Sequence, residues 1–186
     1  MVNTLVRSIV LASITIGLGA SPALADALAP ANLQGFDGIL TRCVISTDRE
    51  YAGRMCDRLI AAAEKEAKTN SISHQHAGTE NWNSGMVSPT MPQGSQFKTT
   101  LWLTFFVRGT GGKVPGALAR ASFHMPFAAA VEQGDTGGTP REGQLVIWEE
   151  SIIGSGPAKQ LGPAVADAVA KKMAPVFTAL AKANLN

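Results

Sequence analysis

The chain has 186 residues, and its 16 lysines and arginines against 14 aspartates and glutamates give a formal net charge of +2. Its hydrophobic fraction of 45% is that of an ordinary globular protein. A charge so nearly balanced provides no strongly basic surface of the kind that binds nucleic acid or anionic lipid. We therefore expect a soluble globular protein that does not act on nucleic acid.

The N-terminal segment has the pattern of a secretory signal peptide. Arg7 precedes an apolar run from Ile9 to Leu18, and the segment Ala23–Ala25 matches the small-x-small site of signal peptidase. The run is shorter than the about 20 apolar residues of a transmembrane helix. We expect cleavage after Ala25 and export to the periplasm or the medium, with no transmembrane segment left after cleavage. Residues 26–36 then form a flexible N-terminal segment, and residues 37–186 form a single domain.

The chain after the leader predicts five strands and two helices. Alternation of apolar and polar residues indicates strands, and an apolar stripe at helical spacing indicates each helix. The Gly-rich segment Gly109–Lys113 is predicted to be a hairpin turn between the third and fourth strands. In chain order the elements are strand 37–47, helix 49–68, strand 70–77, strand 97–108, strand 117–125, strand 143–153 and helix 157–184.

This order predicts an α+β fold. A run of strands bracketed by two helices favours a two-layer arrangement, because each helix must bury its apolar stripe against the sheet. We expect a mostly antiparallel sheet of about five strands, in the order β-α-β-β-β-β-α, with both helices on one face.

The chain has two cysteines, and we predict that they form a disulfide. Cys43 lies on the first strand and Cys56 on the buried side of the first helix. If the helix folds back onto its own strand, the two thiols reach similar depth, and an exported protein meets an oxidising compartment. The alternatives are a pair of buried free thiols, or redox or metal chemistry, although the spacing is not C-x-x-C.

Two long segments without clear periodicity, 78–96 and 126–142, are expected to be loops. Long loops in compact domains are often binding segments. If both loops meet at one end of the sheet, they form a rim for a small ligand or an envelope protein. The alternative is that the tryptophan and methionines cap the open end of the core. The residues predicted for the rim are Trp82, Met86, Met91, Asp135 and Arg141.

The histidines are candidates for a metal site. His74 and His76 have the H-x-H spacing that places two imidazoles on one face of a strand, and His124 ends the fourth strand at the predicted rim. Imidazole suits zinc or copper. The alternative is that all three are exposed or bonded locally.

These observations support three hypotheses about function. No nucleophile elbow, phosphate-binding loop or H-E-x-x-H pattern is present, so the sequence carries no catalytic signature. The first hypothesis is an exported accessory or binding domain of the bacterial cell envelope with no resident cofactor. The second is a periplasmic metal-binding protein that uses the three histidines. The third is a hydrolase whose site has no recognisable motif.

Overall fold

The structure, a computed structural model, describes residues 33–46, 50–82, 99–131 and 139–184, with side chains outside 126–131 and 139–143. The order of elements is the predicted one, and the α+β fold class is confirmed. The predicted signal peptide lies outside the described residues. The elements are β1 (Gly38–Ile45), α1 (Glu50–Thr69), β2 (His74–Asn81), β3 (Thr100–Gly109), β4 (Gly116–Val131), β5 (Thr139–Ser155) and α2 (Ala158–Asn184).

The five strands form one mixed sheet in the order β2-β1-β3-β4-β5. β1 runs parallel to both β2 and β3, whereas β3–β4 and β4–β5 are antiparallel. The parallel pairing of β1 with β2 follows from α1, since a helical crossover returns the chain in the direction of the strand it left. The sheet is therefore antiparallel only in its C-terminal half.

Both helices lie on one face of the sheet and enclose the core. α1 packs over β1 and β3, α2 packs over β4 and β5, and the helices contact each other. Alternate residues of the strands point into this core, as the period of two requires. The largest fully buried side chains of this cluster include Leu103, Phe105, Phe123, Phe177 and Met55.

The predicted disulfide is present. Cys43 of β1 and Cys56 of α1 are bonded, both are fully buried, and their Cα atoms are 5.8 Å apart. That separation lies within the usual range for a disulfide. The bridge joins the first strand to the helix that folds back onto it, which is the geometry expected from their depths along the two elements.

Two predicted boundaries are wrong in ways that affect the site. The second strand lies at 74–81 rather than 70–77, so it includes the first residues of the expected first loop. β4 extends to Val131 and β5 begins at Thr139, so most of the expected second loop, 126–142, is paired strand. Within the described residues, β4 beyond Met125 pairs with β5 alone, and the two strands form an arm that extends past the described part of β3. Backbone pairing with a neighbouring strand overrides the weak β-propensity of the alanines in this stretch.

The hairpin turn between β3 and β4 is held by Tyr51 of α1. The Tyr51 hydroxyl donates to the Gly116 carbonyl oxygen at 2.8 Å and lies 2.9 Å from that of Thr110. Its ring lies against Gly109, where a Cβ atom would be only 2.4 Å from the hydroxyl oxygen. The ring can take this position only because residue 109 is glycine.

The two helices approach closely near their N-terminal halves. A Cβ atom on Gly162 would lie 3.3 Å from the Met55 side chain and from the Tyr51 carbonyl oxygen, so a small residue permits the contact. Arg58 and Asp167 form a bidentate ion pair between the helices at 2.5 and 2.9 Å. In the part of the chain that the structure describes, no helix is long and apolar enough to span a membrane.

The described part of the expected N-terminal segment, residues 33–36, is docked. Leu33 is fully buried, and the Asn184 side chain of α2 accepts from the N–H groups of Gly35 and Phe36 at 2.8 and 3.2 Å. The same amide donates to the Leu33 carbonyl oxygen at 2.6 Å. One side chain therefore joins the start of the domain to its last helix.

Candidate functional site

The helix-free face of the sheet carries a group of polar and aromatic side chains that lie outside the main core. β1, β3 and β4 alternate, so residues between the core positions point away from both helices. The pairing of Arg42 with Thr104 and of Thr104 with Ser122 sets these side chains in rows across the sheet. The helix-free face comprises Leu40, Arg42, Val44, Trp102, Thr104, Phe106, Leu118, Arg120, Ser122 and His124, with Glu80, Val146, Glu149, Ser151 and Ile153 on the flanking strands.

Three of these side chains form a buried hydrogen-bonded chain. The Nε–H of Arg42 donates to Oγ1 of Thr104 at 3.0 Å, and that oxygen lies 3.3 Å from Nε2 of His124. Because Thr104 accepts from arginine, its single proton is available for Nε2, which can accept it only if the imidazole is neutral. The arrangement in which Thr104 donates to Nε2 corresponds to neutral His124 with its proton on Nδ1.

The electrostatics favour the same protonation state. Burial, together with the charges of Arg42 and Arg120, lowers the pKa of His124 to about 4. Burial also lowers the pKa of Arg42, and the negative charge of Glu80 opposes that shift. The Arg42 guanidinium further lies 5.6 Å from the centre of the Trp102 ring, a cation–π contact. A fixed positive charge thus sits beside a neutral imidazole.

An exposed strip runs beside this buried chain, from the end of β2 to β5. Trp82, with 41% of its surface exposed, meets the Phe106 ring edge to face at 5.8 Å. The Arg120 guanidinium lies 5.4 Å from the Phe106 ring centre, and its Nη1 is 3.7 Å from an oxygen of Glu149. We call these four residues the aromatic–cation strip. Such a surface can stack on planar or apolar groups and pair with carboxylates.

The predicted rim is described only in part. Trp82 lies at the C-terminal end of β2, where its N–H donates to the Ile45 carbonyl oxygen at 2.7 Å. The last residue of β2, Asn81, lies beside Ile45 of β1, whereas His124 lies in the row of Leu40, five residues earlier on β1. Trp82 and His124 are therefore separated along the strands by roughly 16 Å, at 3.3 Å per residue. Met86, Met91 and Asp135 lie outside the described residues, and Arg141 belongs to β5 with no described side chain.

The structure does not bring the three histidines to one rim. His74 and His76 lie on the edge strand β2 and face the helix side, where each is within hydrogen-bond distance of Thr41, at 2.9 and 3.2 Å. His124 occupies nearly the same level of the sheet, but it is three strand spacings away, roughly 14 Å, and faces the opposite side. Within the described residues, no three His, Cys, Asp or Glu side chains are grouped so as to hold a metal ion.

Burial lowers the pKa of His74, and a smaller effect of the neighbouring His76 acts in the same direction. The negative charge of Glu64 on α1 opposes it. Both edge histidines are therefore within hydrogen-bond distance of one residue, Thr41.

Sequence reasoning missed the residues that dominate this face. Arg42 interrupts an otherwise apolar strand, and Thr104 and Phe106 alternate with core positions of β3, so each was visible as a non-core residue. Their grouping depends on the register between β1, β3 and β4, which no local pattern contains. Arg120 and Glu149 meet for the same reason.

A small cleft of about 210 Å³ lies at the other side of the domain, between the start of β1 and the end of α2. It holds none of the predicted rim residues. Its lining combines apolar side chains with a few hydroxyl and amide groups: Phe36, Asp37, Gly38, Ile39, Ser71, Ile72, Ser73, Leu180, Ala181 and Asn184.

Comparison with known proteins gives no family. No protein-family model matches the chain, and no curated protein matches it in sequence. A PelC dodecamer from Paraburkholderia phytofirmans aligns with 88% of this chain and 96% of its own, at 13% identity and a TM-score of 0.36. A minor lipoprotein from Acinetobacter baumannii aligns with 77% of this chain and 92% of its own, at 12% identity and a TM-score of 0.30. With identity and TM-score this low, neither protein's properties transfer to this chain.

Proposed function

We propose that this protein is an exported binding domain of the bacterial cell envelope, acting in the periplasm or outside the cell. The observation that carries the proposal is the buried Cys43–Cys56 disulfide. Disulfides persist in oxidising compartments and are rare where thioredoxin and glutathione keep thiols reduced. The leader pattern of residues 1–25 supports the same location.

The aromatic–cation strip is the surface that we propose for binding. Its members touch one another but keep large exposed areas, with 45% of the Arg120 side chain and 43% of the Glu149 side chain open to solvent. Aromatic residues and arginine are enriched at protein interfaces, because they combine apolar area with directed polar contacts. The buried chain of Arg42, Thr104 and His124 links the adjacent strands beside the strip.

One experiment in the source bacterium tests both parts. The full chain is expressed with a photo-crosslinking residue in place of Trp82, or in place of Val114 as a matched control. Val114 is 67% exposed, lies in the turn between β3 and β4 and is not part of the strip. Cells are irradiated and fractionated, and the mature N-terminus and thiol content are read by mass spectrometry.

We expect an envelope or extracellular fraction, an N-terminus at Asp26, no alkylatable thiol, and a discrete adduct at position 82 alone. A cytoplasmic chain that retains its leader and two free thiols would contradict export. Identical adducts at positions 82 and 114, or none at either, would contradict the strip as the binding surface while leaving export intact.

A further inference from the structure

The outer edge of β5 is a second surface with interaction chemistry. β5 is a 17-residue strand at the edge of the sheet, and within the described residues only β4 pairs with it. An edge strand presents backbone N–H and C=O groups that can hydrogen-bond another extended chain. The length of β5 is well above the usual five or six residues of a strand.

Apolar side chains are concentrated on this edge. Val146 and Ile153 are 52% and 66% exposed, and both point to the helix-free face, since their partners on β4 are His124 and Leu118. Leu145 is 50% exposed. Three of the five exposed large hydrophobic residues in the described part of the chain therefore lie on this one strand. Exposed apolar residues grouped in this way mark interaction surfaces, whereas single scattered ones are normal on a protein surface.

The opposite edge of the sheet has features that prevent pairing. β2 has eight residues, and its register with β1 shifts between Thr41 and Arg42. Gly78 follows the shift with a φ of 128°. Short, polar and bulged edges of this kind block the addition of a further strand. The contrast singles out β5, and it makes β2 of a second molecule a poor partner for it.

Charge decides which kind of strand fits β5. Glu149 and Glu150 lie at the centre of the exposed stretch, midway between Val146 and Ile153. If β5 paired antiparallel with β5 of a second molecule so that the centres of the two exposed stretches met, Glu149 and Glu150 of one copy would be cross-strand neighbours of the same two residues of the other. Like charges in directly opposed positions destabilise a strand pair, whereas opposite charges stabilise it.

We propose that the outer edge of β5 binds an extended segment of another polypeptide by strand addition. The segment carries lysine or arginine opposite Glu149 and Glu150, with apolar side chains toward both ends. Backbone hydrogen bonds supply affinity in this mode of recognition, and side chains supply specificity. The surface is separate from most of the aromatic–cation strip, and the inference does not depend on where the protein is located.

Two synthetic peptides test the proposal on the full mature chain. Both have ten residues of alternating threonine and valine, with two lysines at the centre of one and two glutamates at the centre of the other. Binding is followed by fluorescence anisotropy, and its position is followed by hydrogen–deuterium exchange. We expect the lysine peptide to bind at least tenfold more tightly and to slow amide exchange in residues 144–155.

Charge reversal separates recognition from loss of folding. The variant Glu149→Lys/Glu150→Lys is expected to reverse the preference, so that the glutamate peptide binds more tightly. Asp57→Lys/Glu64→Lys changes the net charge equally on the exposed side of α1, and it is expected to leave the preference unchanged. Equal binding of both peptides, or protection outside β5, would overturn the proposal. Protection of residues 144–155 that rises with protein concentration without peptide would overturn it in favour of self-association.

Discussion

At the scale of single residues, the buried chain on the helix-free face links protonation to stability. His124 is only 4% exposed, and its Nε2 lies 3.3 Å from Oγ1 of Thr104, which accepts from Arg42. Protonation of the imidazole would bury a charged group and place a third positive charge near Arg42 and Arg120. Acid should therefore act on the fold through this side chain, beyond the effect of the carboxylates.

The first prediction is that His124→Gln reduces the acid sensitivity of the fold. In the unfolded chain histidine titrates near 6.5, whereas the folded pKa is about 4. Above about pH 6.5 both states are neutral, and between pH 6.5 and 4 only the unfolded state gains the proton, so stability falls as the pH falls. The loss in this window should reach about 3 kcal/mol in the wild type. Urea unfolding of both proteins between pH 7 and 4 measures it, and parallel profiles would contradict the prediction.

At the scale of elements, the turn between β3 and β4 depends on a helix distant in sequence. Tyr51 of α1 is buried, lies over Gly109, and donates its hydroxyl proton to the Gly116 carbonyl oxygen. The sequence of the turn alone predicts a reversal, because glycines permit it. The tyrosine adds a contact that ties the reversal to the first helix.

The second prediction concerns Gly109→Ala. A methyl group there would lie 2.4 Å from the Tyr51 hydroxyl oxygen, so the ring must move and lose its hydrogen bonds to the turn. We expect a loss of about 1–3 kcal/mol in the free energy of unfolding. Gly53→Ala is the matched control, since nothing lies within 4 Å of its added Cβ atom. Gly53 is the fourth residue of α1, and alanine there should stabilise the protein by up to about 1 kcal/mol. Equal effects of the two substitutions on urea unfolding would refute the role of Tyr51.

At the scale of the whole molecule, the disulfide connects the sheet layer to the helix layer. Cys43 and Cys56 are 13 residues apart in sequence, and both are fully buried between β1 and α1. The bridge restricts the conformations that β1 and α1 can adopt in the unfolded chain. The Arg58–Asp167 ion pair connects α1 to α2, and Asn184 of α2 bonds residues 33–36. The two layers are thus joined at several points far apart in the sequence.

The third prediction is that Cys43→Ala/Cys56→Ala lowers the free energy of unfolding by about 3 kcal/mol. The disulfide restricts the unfolded chain, and removing it returns the conformational entropy of a closed loop of this size to the unfolded state. Each single substitution should cost about as much as the double, since either one breaks the bridge. Urea unfolding under non-reducing conditions measures all three variants. Additive losses would show that the two side chains act by separate packing rather than through the bond.

Much of the architecture was predictable because it depends on local patterns. Helical spacing of apolar residues indicated α1, alternation indicated β3, and the depths of the two cysteines along adjacent elements predicted their bond. The stretch 126–131 was assigned wrongly because its alanines carry little strand preference. Only pairing with β5 makes it a strand.

The amino-acid sequence by itself determined the order of elements, the α+β class and the disulfide, since each depends on periodicity or on neighbours along the chain. The tertiary structure decided the parallel pairing of β2, the arm beyond Met125 and the grouping of Arg42, Thr104 and His124. Those features depend on the register between strands distant in sequence, and a shift by one residue would turn every side chain to the other face. The same register places Trp82 beside Phe106 and separates His124 from His74 and His76.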